Sequence, residues 1–192
     1  MRRTLLALSI ALLPLSFAQA ASHEHDHSHE EHGSLGAHEH GVASLNVALD
    51  GQTLEIQLES PAMNLVGFEH AASSDADKAK VAAARAQLEQ PASLFNLPAA
   101  AGCTLAAMEL HSPLFGKPAH EHTEAEHEHS HEHADVDADY RFDCNAPQHL
   151  TAIDLAVFFQ QFPATEKLNA QLIGPSGQQG AELNKGNARL SF

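Results

Sequence analysis

The stretch Val42-Ala43-Ser44-Leu45-Asn46-Val47-Ala48-Leu49-Asp50-Gly51-Gln52-Thr53-Leu54-Glu55-Ile56-Gln57-Leu58-Glu59-Ser60 decides how this chain folds. Leu45, Val47 and Leu49 alternate with Ser44, Asn46 and Ala48, and Leu54, Ile56 and Leu58 alternate with Glu55, Gln57 and Glu59. A period of two puts alternate side chains on one face of a strand. Asp50-Gly51 between the two runs is the strongest short-range signal for a hairpin. Strands are therefore expected near 41–49 and 53–60.

Downstream, Ser60-Pro61-Ala62-Met63-Asn64-Leu65-Val66-Gly67-Phe68-Glu69-His70 is too apolar for a free loop. It is expected to pack on the sheet and deliver Glu69 and His70 to a defined place. Ser74-Asp75 caps an Ala-rich helix running to about Gln90, ahead of Pro91, with a thin apolar face suited to the surface. Residues 93–101 read as irregular. Cys103 to His111 is expected to be a strand with Leu105, Ala107, Glu109 and His111 on one face and Thr104, Ala106, Met108 and Leu110 on the other. Val136 to Asn145 returns as its partner, with Tyr140, Phe142 and Cys144 on one side. Between Leu150 and Phe162 the first half reads as strand and Leu155 to Gln161 as a short helix. Lys167 to Ile173 alternates again, Pro175-Ser176-Gly177 turns, and 181–183 and 188–192 close the chain. The expected class is α+β: a mostly antiparallel sheet with one inserted helix, a short helix in the C-terminal half, one disulfide and disordered histidine-rich segments.

Two runs stand apart from this pattern. One is His23-Glu24-His25-Asp26-His27-Ser28-His29-Glu30-Glu31-His32, continuing to His38 and His40. The other spans His120, His122, His127, His129, His131 and His133, interleaved with glutamate. Together they hold thirteen of the sixteen histidines. They bury too little apolar surface to offset their ordering entropy, so they read as disordered segments. Imidazole is also the commonest metal ligand and suits zinc, copper and nickel. Its reference pKa of about 6.5 leaves most such nitrogens available at neutral pH. Metal binding and disorder are compatible.

Met1-Arg2-Arg3, the apolar run Leu5 to Phe17 and Ala18-Gln19-Ala20 have the pattern of a secretory signal peptide covering 1–20, with the mature chain starting at Ala21. Removing Arg2 and Arg3 would take the formal charge from −15 to −17. An acidic chain without a Lys/Arg cluster argues against nucleic acid and anionic membrane as partners and favours cations. The bacterial periplasm is the expected compartment. There, Cys103 and Cys144 read as one disulfide. It would close a loop of about 40 residues, worth about 4 kcal/mol in the chain-entropy model. The competing reading is a pair of thiolate metal ligands. Residues 21–37 are expected to form a histidine-rich tail, and 38–192 a single domain carrying a histidine-rich loop over 116–135.

A flexible tract rarely makes a tight site. In an extended chain His38 and His40 would face the same way and could share one ion, with Glu39 directed elsewhere. His70 is the third candidate, its alternative being an ordinary structural histidine. Three nitrogens plus water, or a ligand from a tract, suit tetrahedral zinc. His111 and His149 stand alone beside strand ends and read as surface or capping residues. His23-Glu24-His25-Asp26-His27 and His127-Glu128-His129-Ser130-His131 match the metalloprotease string H-E-x-x-H. That chemistry needs both histidines one turn apart on a helix, and these matches lie in His/Glu repeats with no apolar helix face.

Ala37-His38-Glu39-His40-Gly41-Val42-Ala43, Glu59 to His70, the cysteine pair around the histidine loop, Phe158-Phe159-Gln160-Gln161-Phe162-Pro163 and Pro175-Ser176-Gly177-Gln178 carry a resemblance. In these strings the chain resembles the ZrgA-like periplasmic zinc-uptake proteins over nearly the whole mature sequence. The resemblance implies a zinc binder without enzymatic activity that supports import, with a zinc ABC transporter or its solute-binding protein as partner. It favours His38, His40 and His70 as ligands. Alternatives are a periplasmic nickel or copper buffer, since imidazole does not choose zinc, a metal-dependent hydrolase, and an interaction module switched by histidine protonation.

Overall fold

In the computed structural model, residues 39–116 and 134–192 are described. Strands β1 (Val42–Asp50) and β2 (Thr53–Pro61) pair antiparallel, in register from Asp50 opposite Thr53 to Ser44 opposite Glu59. The loop proper is Gly51-Gln52, and Gly51 takes a φ of 58°. A left-handed first loop residue matches the twist of the flanking strands.

The chain then makes helix α1 (Ala62–Val66), helix α2 (Asp75–Leu88) and helix α3 (Pro91–Leu94). Strands β3 (Cys103–His111) and β4 (Asp135–Cys144) follow, then β5 (Ala152–Asp154), α4 (Ala156–Gln161), β6 (Lys167–Gly174), β7 (Gly177–Asn184) and β8 (Arg189–Ser191). Six strands form one sheet in the order β3-β4-β2-β1-β6-β7, while β5 and β8 pair separately. The pairing is antiparallel throughout except between β1 and β6, which run parallel.

One sheet face is apolar and is buried across β1, β2, β4 and β6. Leu45, Val47, Leu54, Ile56, Leu58, Val136, Tyr140, Phe142, Leu168 and Leu172 point into it, against Leu88, Leu94, Phe95, Phe158, Phe159 and Phe162. Each such side chain contributes roughly 1.5–3 kcal/mol on burial. The thin apolar face of α2 supplies Val81, Ala84 and Leu88. Its start is fixed by a capping box, in which the Ser74 hydroxyl accepts from Asp77 N–H at 3.1 Å and Ser74 N–H donates back to the Asp77 carboxylate. The Tyr140 hydroxyl donates to the Leu88 carbonyl at 3.0 Å, and burial raises its phenol well above the usual range.

Several expectations change. Helix α2 stops at Leu88, and the segment read as irregular opens with α3 and drives Leu94 and Phe95 into the core. In β3 the register against β4 shifts between Leu105 and Ala107. That bulge puts Leu105, Met108 and Leu110 opposite Phe142, Tyr140 and Ala138, all core-facing residues of β4. Strict alternation had separated Leu105 from Met108. Strand β7 starts at Gly177, well before residue 181, because its polar first half pairs with β6 and carries no apolar rhythm by which to read it. The split of 150–162 into strand and helix holds. Cys103 and Cys144 form a disulfide directly across β3 and β4, which removes the thiolate-ligand reading.

Candidate metal centre

The chain enters the described fold through a tight turn. Val42 N–H donates to the Glu39 carbonyl at 3.0 Å, and Gly41 has a φ of 86°. A type II turn requires that left-handed value at its third residue, where glycine carries no strain. His40 is therefore the turn's second residue, with β1 starting only at Val42. His38, expected to share an ion with His40, lies outside the described residues.

Buried Asn64 anchors the turn. Its Oδ1 accepts the Gly41 N–H at 2.6 Å, and its Nδ2 donates to the Val42 carbonyl at 2.9 Å and to the Ser60 hydroxyl at 3.3 Å. On the other side the Gly41 carbonyl accepts the N–H groups of Glu166 and Lys167. A Cβ on Gly41 would come 3.3 Å from Glu166 Cγ.

Asn64 lies on α1, which ends at Gly67 with φ 84° and its N–H on the Met63 carbonyl. This left-handed cap reverses the chain, and Phe68 is buried beyond it. Glu69 then reaches His40: Oε1 and Nε2 are 3.0 Å apart, with side-chain exposures of 12% and 53%. His70 is exposed. Its ring stacks on Phe68 at 4.7 Å with planes 17° apart, and its Nδ1 is 3.0 Å from the Ala71 carbonyl. A carbonyl only accepts, so Nδ1 carries the hydrogen and Nε2 keeps its lone pair toward solvent. Nearby Asp77 has its carboxyl held below the usual range, chiefly by hydrogen bonding with Ser74, with His70 and Lys80 adding to it.

The segment 61–70 thus delivers Glu69 and His70 as the sequence implied, and Glu69 meets His40 across 29 residues of chain. That contact had no sequence signal beyond the shared Gly-Phe-Glu-His string. No group of three or more His, Cys, Asp or Glu arranged to hold an ion occurs among the described residues. His120, His122, His127, His129, His131 and His133 lie outside them. His111 is exposed, 3.4 Å from Glu109, and exposed His149 ends a 3-10 turn.

One end of the sheet gathers the chain segments that lead to histidine-rich sequence. β1 starts there, β2 ends there beside Asp135, and His111 at the end of β3 faces Asp137. Ala62 N–H donates to the Ala134 carbonyl at 2.8 Å, which ties the end of the 116–135 segment to α1. Its beginning is held by Phe115, whose ring lies under the Arg85 guanidinium at 5.6 Å. The disulfide sits at the opposite end of β3 and β4.

No curated protein matches the chain at a significant level. The family described as "ZrgA family zinc uptake protein" matches residues 37–192, taking in both the His40 turn and the Asn64 to His70 segment. With that match over the whole described fold, the chain belongs to the ZrgA family of zinc uptake proteins.

Proposed function

We propose that this protein captures zinc in the bacterial periplasm and hands it to an import system, without chemistry of its own. The leader over residues 1–20 would direct export, with cleavage after Ala20. The tight site would lie on the folded domain, with His40 and His70 as ligands and His38 joining them from the chain that precedes the turn. The histidines of the 116–135 segment would collect zinc weakly and raise its concentration beside that site.

One observation carries this reading. The chain before Glu39 and both ends of the 116–135 segment attach at the same sheet end as His40, Glu69 and His70. Tethered donors act on a neighbouring site at an effective concentration set by tether length, up to millimolar for short tethers. A zinc ABC transporter or its solute-binding protein would be the recipient. No helix among the described residues is long and apolar enough to cross a membrane.

The test is metal analysis of exported protein purified without an affinity metal. Wild type, a variant lacking residues 119–133 and His70→Ala are compared. Zinc retained by the deletion and lost by His70→Ala supports a site on the domain. Zinc lost by the deletion alone places capture in the tract and overturns it. Copper or nickel in place of zinc would make the protein a buffer for those ions.

A further inference from the structure

We infer that Glu69 is itself a zinc ligand, so that the site takes one anionic oxygen beside its imidazole nitrogens. This rests on His40 being a ligand, as proposed above, and adds the donor that the histidine pattern conceals. The Nε2 of His40 and Oε1 of Glu69 are 3.0 Å apart. Tetrahedral zinc, with bonds of about 2.0–2.2 Å to nitrogen and oxygen, needs neighbouring donors about 3.3 Å apart. The pair is within a few tenths of an ångström of the edge that an ion would span.

The contact differs from an ordinary surface ion pair, whose long side chains hold no fixed geometry. His40 stands in a turn whose N–H and carbonyl groups are fixed by Asn64, Glu166 and Lys167. Glu69 follows a left-handed glycine and a buried phenylalanine, and is mostly covered. Without metal, His40 Nε2–H donates to the carboxylate. With zinc, the Nε2 lone pair and Oε1 both turn to the ion and the imidazole hydrogen resides on Nδ1. His70, the next residue, presents its Nε2 because Ala71 occupies Nδ1. A carboxylate in the set supplies a harder donor than imidazole and disfavours soft Cu(I).

The experiment uses the full chain and less than one equivalent of metal, so that the tightest site fills first. Zinc affinity is read by chelator competition at pH 7.5, and the donor set by the visible spectrum of bound Co(II). Glu69→Gln should weaken the first zinc at least about tenfold and should change the cobalt spectrum; losing a partner that only orients a ligand can cost as much affinity, so the spectrum is what separates the two roles. Thermal unfolding of the metal-free protein checks that the variant folds, and Glu69→Ala is read the same way if it does not. Affinity within threefold of wild type, or weaker binding with an unchanged cobalt spectrum, reduces Glu69 to a positioning residue and overturns the inference. His40→Ala separates the two levels: if it leaves the first zinc untouched, the proposed site fails as a whole; if it weakens binding while Glu69→Gln does not, only the carboxylate assignment fails.

Discussion

Asn64 Oδ1 accepts the Gly41 N–H at 2.6 Å, so one buried amide joins the turn that carries His40 to the helix that leads to Glu69 and His70. Replacing it with alanine strands the Gly41 N–H without its acceptor and removes the donor to the Val42 carbonyl. A buried polar group left unsatisfied costs about 1–3 kcal/mol. Asn64→Ala should therefore lower the melting temperature by several degrees, measured by calorimetry, and weaken the first zinc more than its stability loss alone explains.

The disulfide makes the opposite prediction. It closes a separation of 41 residues at the sheet end away from His40. Cys103→Ala with Cys144→Ala should cost up to about 4 kcal/mol in the chain-entropy model. Denaturant midpoints measure that loss. Affinity for the first zinc, measured well below the new midpoint, should remain within a few-fold of wild type.

Protons compete with zinc for imidazole, whose ordinary pKa is about 6.5. Zinc affinity should fall steeply between pH 7.5 and 5.5 in isothermal titration. An affinity unchanged across that range would show that imidazole does not hold the ion.

Asp137 supplies a stability test independent of metal. Asp137 is exposed but partly desolvated, which raises its carboxyl above the usual range, with Asp135 and Asp139 adding repulsion and His111 opposing it. A raised acid stabilises the fold while protonated in both states, below about pH 3.8, and that contribution disappears as pH rises through the folded-state value. Asp137→Asn should thus be more stable than wild type at pH 7, with the difference shrinking below pH 4. Urea midpoints at pH 7 and pH 3.5 check the sign.

Much of the fold was legible in local patterns. Asp50-Gly51 between two alternating runs specified the central hairpin, Ser74-Asp75 specified the start of α2, and the cysteine pair read as the bridge. What stayed hidden depends on distant partners. The bulge beside Ala106 exists because β3 must match β4, the parallel β1–β6 pairing joins segments more than a hundred residues apart, and polar β7 takes its strand form from β6. At the site, glycines 41 and 67 were visible as residues, but their positive φ angles bring Glu69 to His40 only through Asn64. Histidine density draws the eye to the tracts, whereas this contact uses one histidine and one acid from different strings.

Strands β3 and β4 are joined by the disulfide at one end and β4 pairs along its length with β2, while the residues between Gly116 and Ala134 lie outside the described ones. No strand pair among the described residues uses that span, so insertions or deletions in it should leave the sheet in place. Each doubling of such a span costs about 0.6 kcal/mol in closure entropy. On the function proposed above, the number of metal-collecting residues can then be adjusted one at a time while the domain that delivers the ion keeps the same shape.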